Sequence, residues 1–212
     1  MKKYQYFLFD WDGCLVNTLS VWMNAYKNVF SDFHVSVAER DIVDNMFGDW
    51  NGASKFGITD VASFNKKIVE CVSANMANVQ LYPGVFESLQ KIKEKKKKIA
   101  IISLSKRNVV LPVLERLSLS SFVDLVLTEE DILHHKPHPE VVEKALFRLK
   151  GNKFESVVIG DTEKDILLGK NAGIDSIVFY PTQNKMYYKE SKLKSLKPTH
   201  FMRNFLDILK FV

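Results

Sequence analysis

The stretch SVVIGDTEKDILLGKNAGIDSIVFY, Ser156 to Tyr180, decides the fold. Its two ends, SVVIGD and DSIVFY, are short unbroken apolar runs, as in strands covered on both faces. Between them, Lys164 to Asn171 reads as a helix. A strand, a helix and a second strand over this length make the repeating unit of a parallel sheet. The same alternation begins upstream at LYPGVFESLQKIK, where Pro83 and Gly84 mark a turn and Val85, Leu89 and Ile92 line one helical face. It continues through KIAIIS (strand), Arg107 to Leu117 (helix), FVDLVLT (strand) and Pro139 to Leu149 (helix). Tyr4 to Phe9 adds a buried strand at the start. After Pro181, THFM reads as a short edge strand and NFLDILKF as a closing helix with Asn204 as N-cap.

Between Asn17 and Val79 the texture changes. Strand-like runs give way to helical spacing in LSVWMNAYKNVF, where Leu19, Trp22, Met23, Tyr26, Val29 and Phe30 share a face. Further helices are expected near Val37 to Met46 and Thr59 to Asn78. The Gly-, Asn- and Ser-containing stretch Phe47 to Gly57 reads as a loop between them. The expectation is an α/β fold, a Rossmann-like parallel sheet with helices on both faces, over residues 1–16 and 80–212. Residues 17–79 form a small inserted α-helical domain.

A chain of 212 residues, 46% hydrophobic, can bury a core of this kind. Thirty Lys and Arg against 25 Asp and Glu leave a net charge of +5, and part of the excess lies in KIKEKKKK, Lys91 to Lys98. That run follows an amphipathic stretch and reads as a solvated helix C-terminus, where cations suit the helix dipole. It has no interleaved aromatic residues, which argues against a nucleic-acid partner. Two cysteines, Cys14 and Cys71, have no metal-type spacing and fit a reducing compartment. Aspartates interrupt the N-terminal apolar run too soon for a signal peptide, and no run approaches the length of a membrane span. A cytoplasmic protein without a membrane partner is expected. Nothing in the sequence speaks to oligomeric state.

Ligands of open parallel sheets collect at the carboxyl ends of the strands. The first strand, in FLFDWDGCLV, runs straight into Asp10 and Asp12. Burying a carboxylate without a partner is costly, so these two need a cation, donors or water. Ser103 follows KIAII, Lys136 lies in HHKPHPE beyond the third strand, and Asp161 and Asp165 follow SVVIG. Carboxylates with one lysine and a hydroxyl suit a hard cation such as Mg²⁺ and a phosphoryl group. One carboxylate can take the phosphoryl group covalently, and a second can move the protons of the leaving oxygen and the incoming water.

DWDGCL, Ser103, Lys136 in HKPHPE, and GDTEKD resemble, in order, the four motifs of the haloacid dehalogenase superfamily. The insert resembles that family's small helical cap, of the kind found in the phosphoglycolate phosphatase and β-phosphoglucomutase group. The resemblance implies a Mg²⁺-dependent phosphatase of small phosphomonoesters with Asp10 as nucleophile. It implies Asp12 as general acid/base with its backbone carbonyl on the metal, Ser103 and Lys136 as phosphoryl contacts, and Asp161 and Asp165 as metal ligands. A second aspartate at position 12 points to phosphate esters, because the dehalogenase and phosphonatase branches lack it. A phosphomutase, or a phosphate-binding module without turnover, are the alternatives. Asn17 and Leu104 depart from residues frequent in relatives, and Trp22 stands where the mutase branch has histidine. Asp49, Trp50, Asn51 and Lys55 in the insert's loop are the expected substrate contacts. His134, His135 and His138 fit no zinc spacing and read as solvated loop residues.

Overall fold

The computed structural model describes residues 2–212. The chain divides into two compact units, one holding the chain up to Asn17 and from Gln80 to Val212, the other Thr18–Val79.

In the first unit, β1 (Tyr6–Phe9) enters the sheet and the chain returns after the insert through α4 (Val85–Glu94). Then follow β2 (Lys98–Ile102), α5 (Arg107–Arg116), β3 (Leu125–Leu127), α6 (Glu140–Leu149), β4 (Ser156–Gly160) and α7 (Glu163–Ala172). β5 (Asp175–Phe179), α8 (Glu190–Ser195) and β6 (His200–Met202) complete it. Among the described residues the six strands form one sheet in the order β3-β2-β1-β4-β5-β6. Every neighbouring pair is parallel. The chain therefore builds outward from β1 in one direction, then crosses over to β4 and builds in the other. That reversal leaves a crevice at the carboxyl ends of β1 and β4.

Strand alternation sorts the core into two layers. Leu8, Ala100, Ile102 and Val158 face α6 and α7, packing with Val142, Ala145, Leu168 and Ala172. On the other face Phe9 and Phe179 meet Phe205, with ring centroids 6.0 and 5.0 Å apart. Phe205 opens the closing helix, which is a 3₁₀ helix over Phe205–Phe211, with the Asn204 side chain accepting from the Leu206 N–H at 3.0 Å.

The strand expected over Phe122 to Thr128 is shorter, because only Leu125–Leu127 pair with β2. The Asp124 side chain turns back to accept from the Ile99 N–H and from Lys93 and Lys98. This also revises the lysine run: it covers the end of α4, a turn and the first residue of β2, and two of its cations are paired with Asp124. Between Pro181 and β6, the short 3₁₀ helix Thr182–Met186 and α8 appear where the sequence pattern shows no element.

The second unit holds α1 (Leu19–Asp32), α2 (Glu39–Asn45) and α3 (Val61–Asn75). Phe30 of α1 sits 4.8 Å from Phe64 of α3 and 5.4 Å from Phe56, measured between ring centroids. The Tyr26 hydroxyl donates to the Met46 carbonyl, tying α1 to the end of α2. The expected loop contains one 3₁₀ helix, Gly52–Phe56. No helix of the described residues is long and apolar enough to cross a membrane.

Candidate active site

The register explains how distant residues meet. Phe9, the last residue of β1, pairs with Ile101 on one side and Ile159 on the other. One or two residues further along each strand come Asp10, Ser103 and Asp161, side by side at the sheet edge. The Asp10 N–H donates to the Ile159 carbonyl at 2.7 Å, extending the ladder to the carboxylate itself. The chain then turns sharply: Gly13 takes a positive φ of 77°, and the Trp11 carbonyl accepts from Leu15 and Val16.

Lys136 is the centre of the cluster. Its Nζ donates to Asp10 Oδ1 at 2.6 Å and to Asp165 Oδ1 at 2.9 Å, and all three side chains are buried. Asp165 is held from its other oxygen, which accepts from the Thr162 N–H and hydroxyl in a capping box at the start of α7. Gly160 makes room for it: a Cβ there would lie 2.2 Å from Asp165 Cγ. Asp161 is fully buried, and its Oδ2 accepts from Asn184 Nδ2 at 3.0 Å. Asp161 Oδ1 has no hydrogen-bond partner.

Carboxylate oxygens of Asp10, Asp161 and Asp165 lie within 4.8 Å of one another. Three carboxylates and one ammonium leave two negative charges in a buried volume, which is unfavourable without a counter-ion. The titration behaviour follows. Burial pushes Asp10 up to about 7, with Asp165 and Asp12 adding to the rise and Lys136 opposing it. Burial likewise raises Asp161 well above the carboxylate range, reinforced by Asp10 and Asp165. Burial alone would lower Lys136, but Asp10 and Asp165 outweigh it and keep the ammonium protonated. An unpartnered carboxylate oxygen, in a cluster whose full ionisation would leave two negative charges, fits a hard divalent cation.

Asp12 is held apart from that trio, its Oδ2 accepting from the Ser105 hydroxyl at 2.5 Å. Ser103 is buried and accepts from the Ser105 N–H through its Oγ. Ser105 escaped the sequence reading, although its place two residues after Ser103 was a usable signal. Asn184 had no such signal, because it lies in the irregular stretch after β5.

The other expected contacts belong to the second unit. Lys55 pairs with Asp49 at 3.2 Å, the Asn51 N–H donates to Asp49 Oδ1, and the Trp50 carbonyl accepts from Asn65. Trp22 is buried on α1, edge-on to Trp50 with centroids 6.1 Å apart. Asn17 and Leu104 lie in the first unit; the Asn17 N–H donates to the Gln80 carbonyl, and Leu104 packs on the α6/α7 core. His134 and His138 are exposed with their rings tilted against each other, centroids 4.4 Å apart, and their ring nitrogens come within 4.8 Å of the Glu140 carboxylate. That carboxylate is engaged by the Leu133 and His134 N–H groups and by Lys144.

A sheet reversal with a buried aspartate–lysine–aspartate cluster at its carboxyl edge makes a candidate site for a hard cation and an anionic ligand. The comparisons agree. Residues 7–179 match the haloacid dehalogenase-like hydrolase family, so the chain belongs to that family. It is a phosphatase-type enzyme. The pyrophosphatase PpaX of Halalkalibacterium halodurans is 28% identical over 210 residues, 97% of this chain and 95% of the relative. A hydrolase from Pseudomonas syringae superposes with a TM-score of 0.85 at 20% identity, covering 99% of this chain and 97% of the other. CbbY from Rhodobacter sphaeroides, solved in complex with phosphate, superposes with a TM-score of 0.81 at 18% identity, covering 97% and 96%. These two structural likenesses are of fold.

Gly160→Ala tests how tightly Asp165 is seated. The added methyl would drive the carboxylate away from Lys136, costing about 1–3 kcal/mol of stability through overpacking. Hydrolytic turnover should fall roughly a hundredfold, as for displacements near 1 Å at a reacting centre. Thermal melting and steady-state kinetics check both, and wild-type turnover in the variant would contradict the close fit.

Proposed function

We propose that this phosphatase is a Mg²⁺-dependent hydrolase of small phosphomonoesters that works through an aspartyl-phosphate at Asp10. The observation that supports it most is Lys136 Nζ, 2.6 Å from Asp10 Oδ1 inside the same buried cluster as Asp161 and Asp165. In this reading Asp161, Asp165, Asp10 and the Asp12 carbonyl would hold the cation, which would supply positive charge against the phosphoryl oxygens. Asp10 is the nucleophile: its carboxylate oxygen bonds to phosphorus as the phosphorus–ester oxygen bond breaks. Asp12, in its carboxylic acid form, gives its proton to the departing alkoxide. Its carboxylate then takes a proton from the water that attacks phosphorus, releasing phosphate and restoring Asp10. Ser103 donates to a phosphoryl oxygen, and Lys136 spans that group and Asp10, offsetting charge that would otherwise repel an anionic nucleophile.

The reading assigns residues 1–16 and 80–212 to catalysis and gives residues 17–79 the role of cap. Trp50, Asn51 and Lys55 on its loop are assigned the choice of substrate. The PpaX relative is named a pyrophosphatase, which puts inorganic pyrophosphate beside sugar phosphates and phosphoglycolate among the compounds to test. The test is a screen of phosphorylated metabolites with phosphate release as readout. Release is expected with Mg²⁺, absent after chelation and restored by adding Mg²⁺ back. Turnover that survives chelation would overturn the metal assignment. Conversion of a sugar 1-phosphate to its isomer without free phosphate would make the enzyme a mutase instead.

A further inference from the structure

The buried amide of Asn184 lies outside every stretch that supplies the reacting groups, yet it touches two parts of the site. It sits in the short 3₁₀ helix Thr182–Met186 after β5 and is completely buried. One Nδ2 carries both contacts: it donates to the Gly13 carbonyl at 2.8 Å and to Asp161 Oδ2 at 3.0 Å. The Oδ1 end accepts from the Tyr82 hydroxyl at 2.6 Å. Tyr82 is itself buried and packs edge-on to Phe179 of β5, with centroids 5.3 Å apart.

These contacts define the direction of the amide. A hydroxyl that donates to Oδ1 leaves the NH₂ end pointing at two acceptors, and the reverse orientation would set an amide oxygen against a carboxylate and a carbonyl. The Asp161 rotamer is fixed in turn. Its Oδ2 is occupied by Asn184, while Oδ1 is buried without a partner. An oxygen left bare in this way is costly unless something else meets it. The same NH₂ also ties the loop after Asp12 to Asp161, so the two segments keep their separation before any ligand arrives.

We infer that Asn184, oriented by Tyr82, is a positioning residue that presents Asp161 Oδ1 to the divalent cation. The inference rests on the reading of Asp161 as a metal ligand. Outer partners of metal ligands act by fixing orientation, and their loss typically weakens metal binding about 10–100-fold. Asn184 makes no claim on the phosphoryl chemistry itself.

The test is Mg²⁺ binding to the full-length chain, measured by titration calorimetry without substrate, alongside melting curves with and without Mg²⁺. Asn184→Ala should weaken Mg²⁺ binding by about 10–100-fold. The Mg²⁺-induced rise in melting temperature should shrink with it, and lost turnover should be recovered by raising Mg²⁺ while the substrate KM stays near wild type. Tyr82→Phe keeps the ring and leaves Asn184 Oδ1 buried without its donor, loosening the amide that Gly13 and Asp161 still orient, so it should weaken Mg²⁺ binding in the same sense by a smaller factor. If Asn184→Ala does not fold, Tyr82→Phe decides the matter. A folded variant with wild-type Mg²⁺ affinity would overturn the inference, whatever its turnover. Asp161→Asn separates the two levels: if it binds Mg²⁺ as tightly as wild type, the metal reading fails and this inference falls with it.

Discussion

Asp10→Asn should reduce turnover at saturating Mg²⁺ and substrate by at least about a thousandfold, the scale seen when an enzyme loses its nucleophile. The substitution is nearly isosteric, and its amide oxygen can still accept from Lys136 where Asp10 Oδ1 does so at 2.6 Å. What disappears is the anionic oxygen that bonds to phosphorus. The fold should survive, because the change removes one of three crowded carboxylates and leaves Lys136 paired with Asp165 at 2.9 Å. Circular dichroism and thermal melting establish that the variant is folded, and phosphate release measures the loss. A folded variant with wild-type turnover would contradict the role given to Asp10.

Lys136→Met has the second large effect, and it acts on stability as well as rate. Methionine replaces most of the volume but not the ammonium, so Asp10 and Asp165 face one another without their shared cation. Removing one partner of a buried ion pair costs about 3–5 kcal/mol. The loss of charge opposite the phosphoryl group should lower turnover by about 10²–10³-fold. The pH dependence has a defined sign. Asp10 is already raised to about 7 by burial, with Lys136 pulling the other way. A carboxyl whose folded value exceeds its unfolded one favours the folded state while it holds its proton, and that contribution fades as pH rises through the folded value. Without Lys136 the folded value climbs further. Melting of the chelated variant should therefore approach wild type as pH falls from about 8 to 5 and diverge again on the return. A pH-independent deficit would mean that lost packing, not bare charge, is responsible.

Much of the architecture was readable from residue patterning. Unbroken apolar runs such as VVIG and IAII occur where both faces of a strand are covered, so their alternation with helical stretches was enough to indicate the parallel sheet and its helices. Asp10, Ser103, Lys136, Asp161 and Asp165 stood out because each follows a strand, and strand ends are where a parallel sheet exposes polar groups. The pairing of Phe9 with Ile101 and Ile159 is what turns that sequence rule into proximity. The third strand was overdrawn because Phe122 and Val123 are apolar, whereas the Asp124 carboxylate caps the ladder before Leu125. Asn184 was invisible for a different reason. A lone asparagine in an irregular stretch carries no periodic or motif signal, and its value comes wholly from the three partners it finds in space.

The junction at Asn17 and Gln80 has its own consequence. The outgoing and returning chain are stitched together there: the Asn17 N–H donates to the Gln80 carbonyl at 3.0 Å, Val16 and Leu81 form an antiparallel bridge, and the Tyr82 N–H donates to the Leu15 carbonyl. To the sheet, everything between those two residues is a closed loop with adjoining ends. A grafted segment of other length or shape would meet the same doorway without altering a single strand pairing. The length and sequence of residues 18–79 are therefore free to vary without any cost in sheet pairing, so long as the two ends still meet.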